Sequence, residues 1–260
     1  SCLVGSEMCI RDRNRLIQIR NDVVIEAWIE HVDYPFLEQH GKEVDLILDA
    51  TDNFDTRQLI NDFAYKHHIP WIYGGVVQST YAEATFIPEQ TPCFNCLMPQ
   101  LPSVNLTCDT VGVIQPAVTM TTSLQLKDAL KLLTGHDIKP QLTYGDIWEC
   151  DHYRIGFSKM HQDQCPTCGS RPHFPYLNQE RQNYATLCGR DTVQYKNKNI
   201  SQEILTTFLE QHHIHYRTNL YMTIFKFRGH RIVAFNGGRF LIHNMTQPQQ
   251  AIQLINQLFG

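Results

Sequence analysis

No apolar run in this 260-residue chain approaches the roughly 18 residues of a membrane-crossing helix, which argues against a membrane partner. No basic stripe is present either. Lys and Arg number 22 against 26 Asp and Glu, and the formal charge is −4, so nucleic acid is a poor candidate partner. The first residues lack the basic start and long apolar core of a signal peptide. There is no internal repeat and no low-complexity tract. Nine cysteines make an odd count, which fits a reducing cytoplasm better than a disulfide framework.

Four of those cysteines fall into two matched pairs, Cys93-Phe-Asn-Cys96 and Cys165-Pro-Thr-Cys168. Pro92 precedes the first pair, and Pro166 and Gly169 shape the second. Two such knuckles can close a tetrahedral tetrathiolate around Zn²⁺ with no open position, a structural rather than catalytic metal. Unrelated cysteines or two redox dithiols are the alternatives, and the turn residues around both pairs favour zinc. The gap between the pairs is far longer than in a zinc finger. The metal would therefore staple a domain already organised by other means.

The chain between and before the knuckles reads as α/β. Val23–Ala27 is short and β-branched, a strand signal. A short helical stretch opens at Tyr34. Val44–Ala50 is a near-continuous apolar run, which predicts a strand buried on both faces of a parallel sheet. Residues 54–68 carry apolar positions at helical spacing, and Trp71–Val77 is the next strand. This β-α-β alternation predicts a doubly wound sheet. Tyr81–Ile87 predicts a further strand leading into the first knuckle. Gly112–Leu133 reads as one long helix with Gly135 as its C-terminal cap. Strands at Leu142–Cys150 and Tyr153–Phe157 return to the second knuckle. After Pro175 the composition changes to a small α+β unit. Its expected elements are a strand at Thr192–Tyr195, a Ser201-capped helix to His212, three further strands, a hairpin turn at Asn236-Gly237-Gly238 and a last helix at Gln249–Phe259.

Asp52, in Thr51-Asp52-Asn53, lies beyond the carboxyl end of a predicted strand and before a helix, where open α/β sheets bind ligands. A carboxylate there can hold Mg²⁺ beside nucleotide phosphates. The alternative is that Asp52 or Asn53 caps the next helix.

The stretch from Val44 through TDNFDTRQLIND to CFNCL, continued by LTCDTVGVIQPAVTMTTSLQLKDALKLLTG and CPTCG, resembles the second half of a ThiF/MoeB-type sulfur-carrier adenylyltransferase. These proteins are relatives of ubiquitin-activating enzymes. The resemblance covers about Arg15 to Gly169, and LIQIRNDVVIEAW is similar to an earlier strand of that family. It implies ATP and Mg²⁺, and a ubiquitin-like sulfur carrier whose C-terminal glycine is converted to an acyl-adenylate and then to a thiocarboxylate. It also implies a sulfur donor such as a cysteine desulfurase, and a homodimer.

On the same resemblance Asp52 falls on the Mg²⁺/ATP aspartate, Asn53 lies beside it at the nucleotide, and Cys93, Cys96, Cys165 and Cys168 fall on the zinc ligands. Arg57 matches a recurring arginine that pairs with an acidic residue. Cys108 falls where sulfur-transferring relatives carry a thiol that forms an acyl-disulfide or thioester, the alternative being an inert loop cysteine. Cys188 is a second candidate thiol, more readily read as structural.

The family's glycine-rich nucleotide loop does not occur in these residues; Gly74-Gly75 and Gly237-Gly238 lack its spacing. The expectation is of an N-terminally truncated chain. Residues 1–13 show no helical or strand period, resemble translated sequencing-adapter DNA and are read as non-native rather than as a flexible arm. Residues 14–175 are then the C-terminal part of the adenylation domain, a Rossmann-like doubly wound sheet with its zinc knuckle, and 176–260 are a small α+β extension. That extension, with TLCGRDTVQY and RFLIHNM, resembles the tail of thiamine-pathway members and favours the thiazole branch over the molybdopterin branch. A non-catalytic zinc-stapled carrier-binding module is the rival from another class.

Overall fold

The computed structural model describes all residues except 1–4, 29, 31, 99–111, 178–183, 188–191, 198–199, 220, 237, 246 and 260. The chain divides into two compact units. One holds Val32–Gln182 with Leu187–Asp191, and the other holds Ser1–His31, Asn183–Thr186 and Thr192–Gly260.

The chain-initial helix of the other unit, Gly5–Ile19, is α1. In the first unit Asp33 caps α2, the short helix Tyr34–His40, by accepting from the Phe36 N–H at 3.0 Å. Strand β1 is Ile47–Leu48, helix α3 is Phe54–Lys66, and strand β2 is Trp71–Val77. Strands β1 and β2 run parallel with Ile47 opposite Trp71, as a β-α-β unit requires. Strand β3, Thr80–Phe86, turns back antiparallel to β2. The single helical turn Phe94–Leu97 is α4, and α5 is the long helix Gln115–Leu133. Strands β4, Gln141–Asp146, and β5, Asp151–Gly156, complete a sheet of order β1-β2-β3-β4-β5.

Helix α5 ends as expected. Gly135 has φ +73°, its N–H donates to Leu132 O at 3.1 Å, and the His136 N–H donates to Lys131 O at 2.8 Å. That pair of bonds is a Schellman motif, and it needs the left-handed conformation glycine adopts freely. The core around Trp71, Phe86, Phe94, Leu142 and Phe157 fills the face of this sheet that carries the cysteines.

The sheet is mixed: among its described strands only β1 and β2 are parallel, and β2 to β5 form an antiparallel set. Three sequence expectations are corrected. Val44–Ala50 yields two strand residues at a sheet edge, with Leu48 47% exposed, because no described strand covers its outer side. Val23–Ala27 forms no strand. Val24 is 88% exposed, and β-propensity without a neighbouring strand to pack on does not make one. Residues 5–13, read as aperiodic, lie in α1, whose residues 11–19 are all exposed. Its Glu, Met, Arg, Leu and Gln residues favour a helix by propensity, with no buried stripe among residues 11–19.

The second unit carries a six-stranded sheet of order β6-β7-β11-β10-β9-β8. Its strands are β6, Tyr184–Leu187; β7, Thr192–Lys196; β8, Tyr216–Thr218; β9, Met222–Phe227; β10, His230–Phe235; and β11, Arg239–His243. Helices α6, Gln202–Gln211, and α7, Pro248–Phe259, pack Leu205, Leu209, Ala251, Leu254 and Leu258 onto Phe225, Ile232, Phe240 and Ile242. Ser201 caps α6 by accepting from the Ile204 N–H at 3.2 Å. Strands β6 and β8 were not anticipated from the sequence.

Candidate nucleotide loop and metal centre

The loop between β1 and α3 is built on a buried ion pair. Asp49 is 1% exposed, and its Oδ2 accepts from Arg57 Nε at 2.9 Å. Its Oδ1 accepts from the Thr51 N–H at 2.9 Å and from Thr51 Oγ1 at 2.6 Å. Arg57 Nη2 also donates to the carbonyls of Thr51 and Gly74, and its guanidinium lies 4.9 Å from the Tyr73 ring. A buried charge needs both a counter-charge and filled hydrogen bonds, and here both are supplied. From α5, Gln125 Nε2 donates to Asp49 O at 2.8 Å and Ile72 O at 3.3 Å. The carboxyl end of β1 and the first half of β2, at Ile72 and Gly74, are thereby fixed from two sides.

On this frame Asn53 is the N-cap of α3; its Oδ1 accepts from the Thr56 N–H at 2.8 Å. Asp52 precedes it, exposed, with Asn53 Nδ2 3.5 Å from its Oδ1. The cap is therefore Asn53, and the Asp52 carboxylate faces solvent beside a helix N-terminus, where the helix dipole favours anions. Arg57 has the acidic partner expected of it. Asp49 and Gln125 were not singled out from the sequence: Asp49 sits inside an apolar run, a polar residue where burial was predicted, which was the available signal.

The second cluster is the four cysteines. The sulfurs of Cys93, Cys96, Cys165 and Cys168 all lie within 4.8 Å of one another. Cys93 Sγ is 3.4 Å from Cys165 Sγ, and Cys96 Sγ is 3.5 Å from Cys168 Sγ. A tetrahedral zinc with Zn–S bonds of about 2.3 Å sets its sulfurs about 3.8 Å apart. The cluster fits that ion. All four are free thiols and three are buried.

Each knuckle has a local cause. Phe94 packs into Trp71, Tyr73 and Phe86, with centroids 5.6, 5.3 and 5.9 Å away. A Cβ at Gly169 would fall 2.4 Å from Asp163 O and 2.5 Å from Cys165 O, so the second knuckle closes only around glycine. His161 Nε2 lies 2.9 Å from Cys168 O. Cys108 and Cys188 lie outside the described residues.

Fold and site define a mixed α/β protein with a cysteine cluster able to hold a metal and an exposed carboxylate at a helix N-terminus. A model of the ThiF family matches residues 9–169, and the chain belongs to that family. It is 36% identical over 250 residues to the sulfur carrier protein ThiS adenylyltransferase of Bacillus subtilis, covering 95% of this chain and 74% of that protein. To the sulfur carrier protein adenylyltransferase of Thermus thermophilus it is 29% identical, covering 72% of this chain and 70% of that one. The crystal structure of Escherichia coli MccB with ATP superposes with a TM-score of 0.53 at 16% identity, covering 64% of this chain. This chain spans about half, 52%, of that MccB chain. The structural likeness concerns the fold alone.

Proposed function

We propose that this chain serves the ATP-dependent adenylation of the C-terminal glycine of a ubiquitin-like sulfur carrier, leading to its thiocarboxylate in thiamine-thiazole synthesis. The observation that carries the reading is the 36% identity to the Bacillus subtilis ThiS adenylyltransferase across 95% of the chain. The likeness thus runs past residue 169, where the family match ends, into the second unit. That extent favours the thiazole branch over the molybdopterin branch. In this reading β1, α3 and β2 belong to a doubly wound sheet.

The reaction is attack of a glycine carboxylate oxygen on the α-phosphorus of ATP, with pyrophosphate leaving. It depends on positioning and charge neutralisation. Asp52 is the residue for a magnesium ion, since Mg²⁺ takes one or two carboxylates plus phosphate oxygens. That ion, when bound, neutralises phosphate charge. Asn53 lines the nucleotide and holds the start of α3. Arg57 and Asp49 keep the loop carrying Asp52 in register with β1. Cys93, Cys96, Cys165 and Cys168 would hold zinc with no open position, a structural role.

Cys108 is the thiol proposed to take the activated carrier as a covalent adduct. Further proposals are a cysteine desulfurase as sulfur donor, a cytoplasmic location and a homodimer. The Leu126, Leu130 and Leu133 stripe of α5, 49%, 64% and 62% exposed, supports a second copy as neighbour. No described helix is long and apolar enough to cross a membrane.

The test is carrier-dependent ATP–pyrophosphate exchange. Residues 1–260 alone are expected to give none, because no glycine-rich phosphate loop lies within them. Supplied with such a loop ahead of residue 14, the protein is expected to exchange, and Asp52→Ala to abolish exchange with metal content unchanged. Exchange that survives Asp52→Ala contradicts the role given to Asp52. Binding of the carrier without any exchange favours the non-catalytic module. In the exchanging protein Cys108→Ser is expected to retain exchange and to lose the covalent enzyme–carrier adduct in intact-mass spectra without reductant. An adduct that persists in that variant moves the nucleophile elsewhere, with Cys188 next.

A further inference from the structure

Both knuckles are tied to α3 through one threonine hydroxyl. Thr167 lies between Cys165 and Cys168 and is 2% exposed. Its Oγ1 donates to Asp62 Oδ1 at 2.5 Å. It accepts from Asn95 Nδ2 at 2.7 Å and from Asn61 Nδ2 at 3.3 Å. Asn95 sits between Cys93 and Cys96, so the two loops meet through groups that contain no sulfur. Asn61 Oδ1 accepts from the Phe94 N–H of the first knuckle at 3.0 Å, and Asp62 Oδ2 accepts from the Tyr176 N–H beyond the second at 2.9 Å. Asn61 and Asp62 are both 0% exposed. A buried polar group left without its partner is costly, so these groups hold one another in a single arrangement.

Without a metal no bond joins the four sulfurs, and the two knuckles are free to spread. The hydrogen-bonded groups around them are what can oppose that. We propose that Asn61, Asp62 and Thr167 form a clasp that holds the four thiols at metal-binding separation before a metal arrives, and that retains the metal once bound. They are positioning residues, acting through the backbone of the two knuckles. The proposal rests on the reading of the four cysteines as a metal site.

The experiment is a cobalt titration of the reduced full chain, followed through thiolate-to-cobalt absorption, with zinc then added in competition to give its affinity. Thr167→Val keeps the shape and removes the hydroxyl. It is expected to weaken zinc binding by about 10–100-fold, as for other partners that orient metal ligands. Thr167→Ser keeps the hydroxyl and is expected to restore the wild-type affinity. In the metal-free chain, alkylation of Cys93 and Cys165 is expected to be slow in the wild type and in Thr167→Ser, and fast in Thr167→Val.

A wild type that takes up no cobalt defeats the metal reading itself, and the clasp with it. A wild type that binds, with Thr167→Val equal to it in affinity and alkylation, overturns the clasp and leaves the metal site standing. Equal weakening by Val and Ser also overturns it, as that is the mark of packing rather than of the hydroxyl. Should Thr167→Val not fold, Asn95→Ala decides: weakened zinc binding sustains the clasp, and unchanged binding overturns it.

Discussion

Glu83, on β3, is 1% exposed and shares Thr85 with Asp128 of α5; Thr85 Oγ1 lies 3.1 Å from Glu83 Oε1 and 3.1 Å from Asp128 Oδ2. One hydroxyl proton cannot serve both carboxyls. Burial, then the charge of Asp128, pushes Glu83 up to about 8. Its proton fills the second hydrogen bond. A carboxyl whose folded-state value is raised binds more protons folded than unfolded between about pH 4.5 and pH 8. Stability is therefore full below that window, falls as pH rises through it, and stays low above. Glu83→Gln removes the titration. The variant is expected to match the wild type near pH 5 and to exceed it near pH 8 by a few kcal/mol, on the order of two to four. Chemical denaturation at the two pH values measures this. A pH-independent difference would mean that Glu83 does not carry the proton.

At the scale of elements, α3 joins the two candidate centres. Arg57, Asn61 and Tyr65 recur at every fourth residue, all buried. Arg57 reaches Asp49 and Gly74, Asn61 reaches the Phe94 amide, and Tyr65 Oη donates to Thr91 O and Pro92 O, each at 3.0 Å. One helix face thus links the loop bearing Asp52 to the entrance of the first knuckle. Helix α5 braces the same frame through Gln125, and Gly74 is the residue that admits it. A Cβ at Gly74 would fall 2.5 Å from Gln125 Nε2. Gly74→Ala is expected to expel Gln125 from its bonds to Asp49 O and Ile72 O, destabilising the fold by about 1–3 kcal/mol in thermal unfolding. Wild-type stability in that variant would show that Gln125 carries no weight there.

What the sequence shows of these elements follows from range. Helix α3, helix α5 with its glycine cap, and strands β2 to β5 depend on periodicity and local turn chemistry, and all were legible. The gathering of the four cysteines was legible because two local motifs each announce themselves. Val23–Ala27 was misread because a β-branched run has no strand without a partner, and partners are not local. Gln125 meets Asp49 across 76 residues, and Asn61 meets Thr167 across 106. No pattern in the chain encodes those pairings. Polar residues inside predicted apolar faces, Asp49 in its strand run and Asn61-Asp62 in α3, were the visible trace of them.

For the whole molecule, the four-cysteine cluster, the α3 face and the Asp49–Arg57 pair form one frame under the exposed carboxylate of Asp52. This frame is proposed to serve activation of a carrier's terminal glycine. The most direct measurement is the mass of the carrier after incubation with Mg²⁺-ATP and the protein supplied with a glycine-rich loop, read by intact-mass spectrometry under acid quench. The expected result is a carrier species heavier by one adenylyl group, lost when the terminal glycine is deleted and absent with Asp52→Ala. A carrier of unchanged mass while Mg²⁺-ATP and carrier are both bound would contradict it.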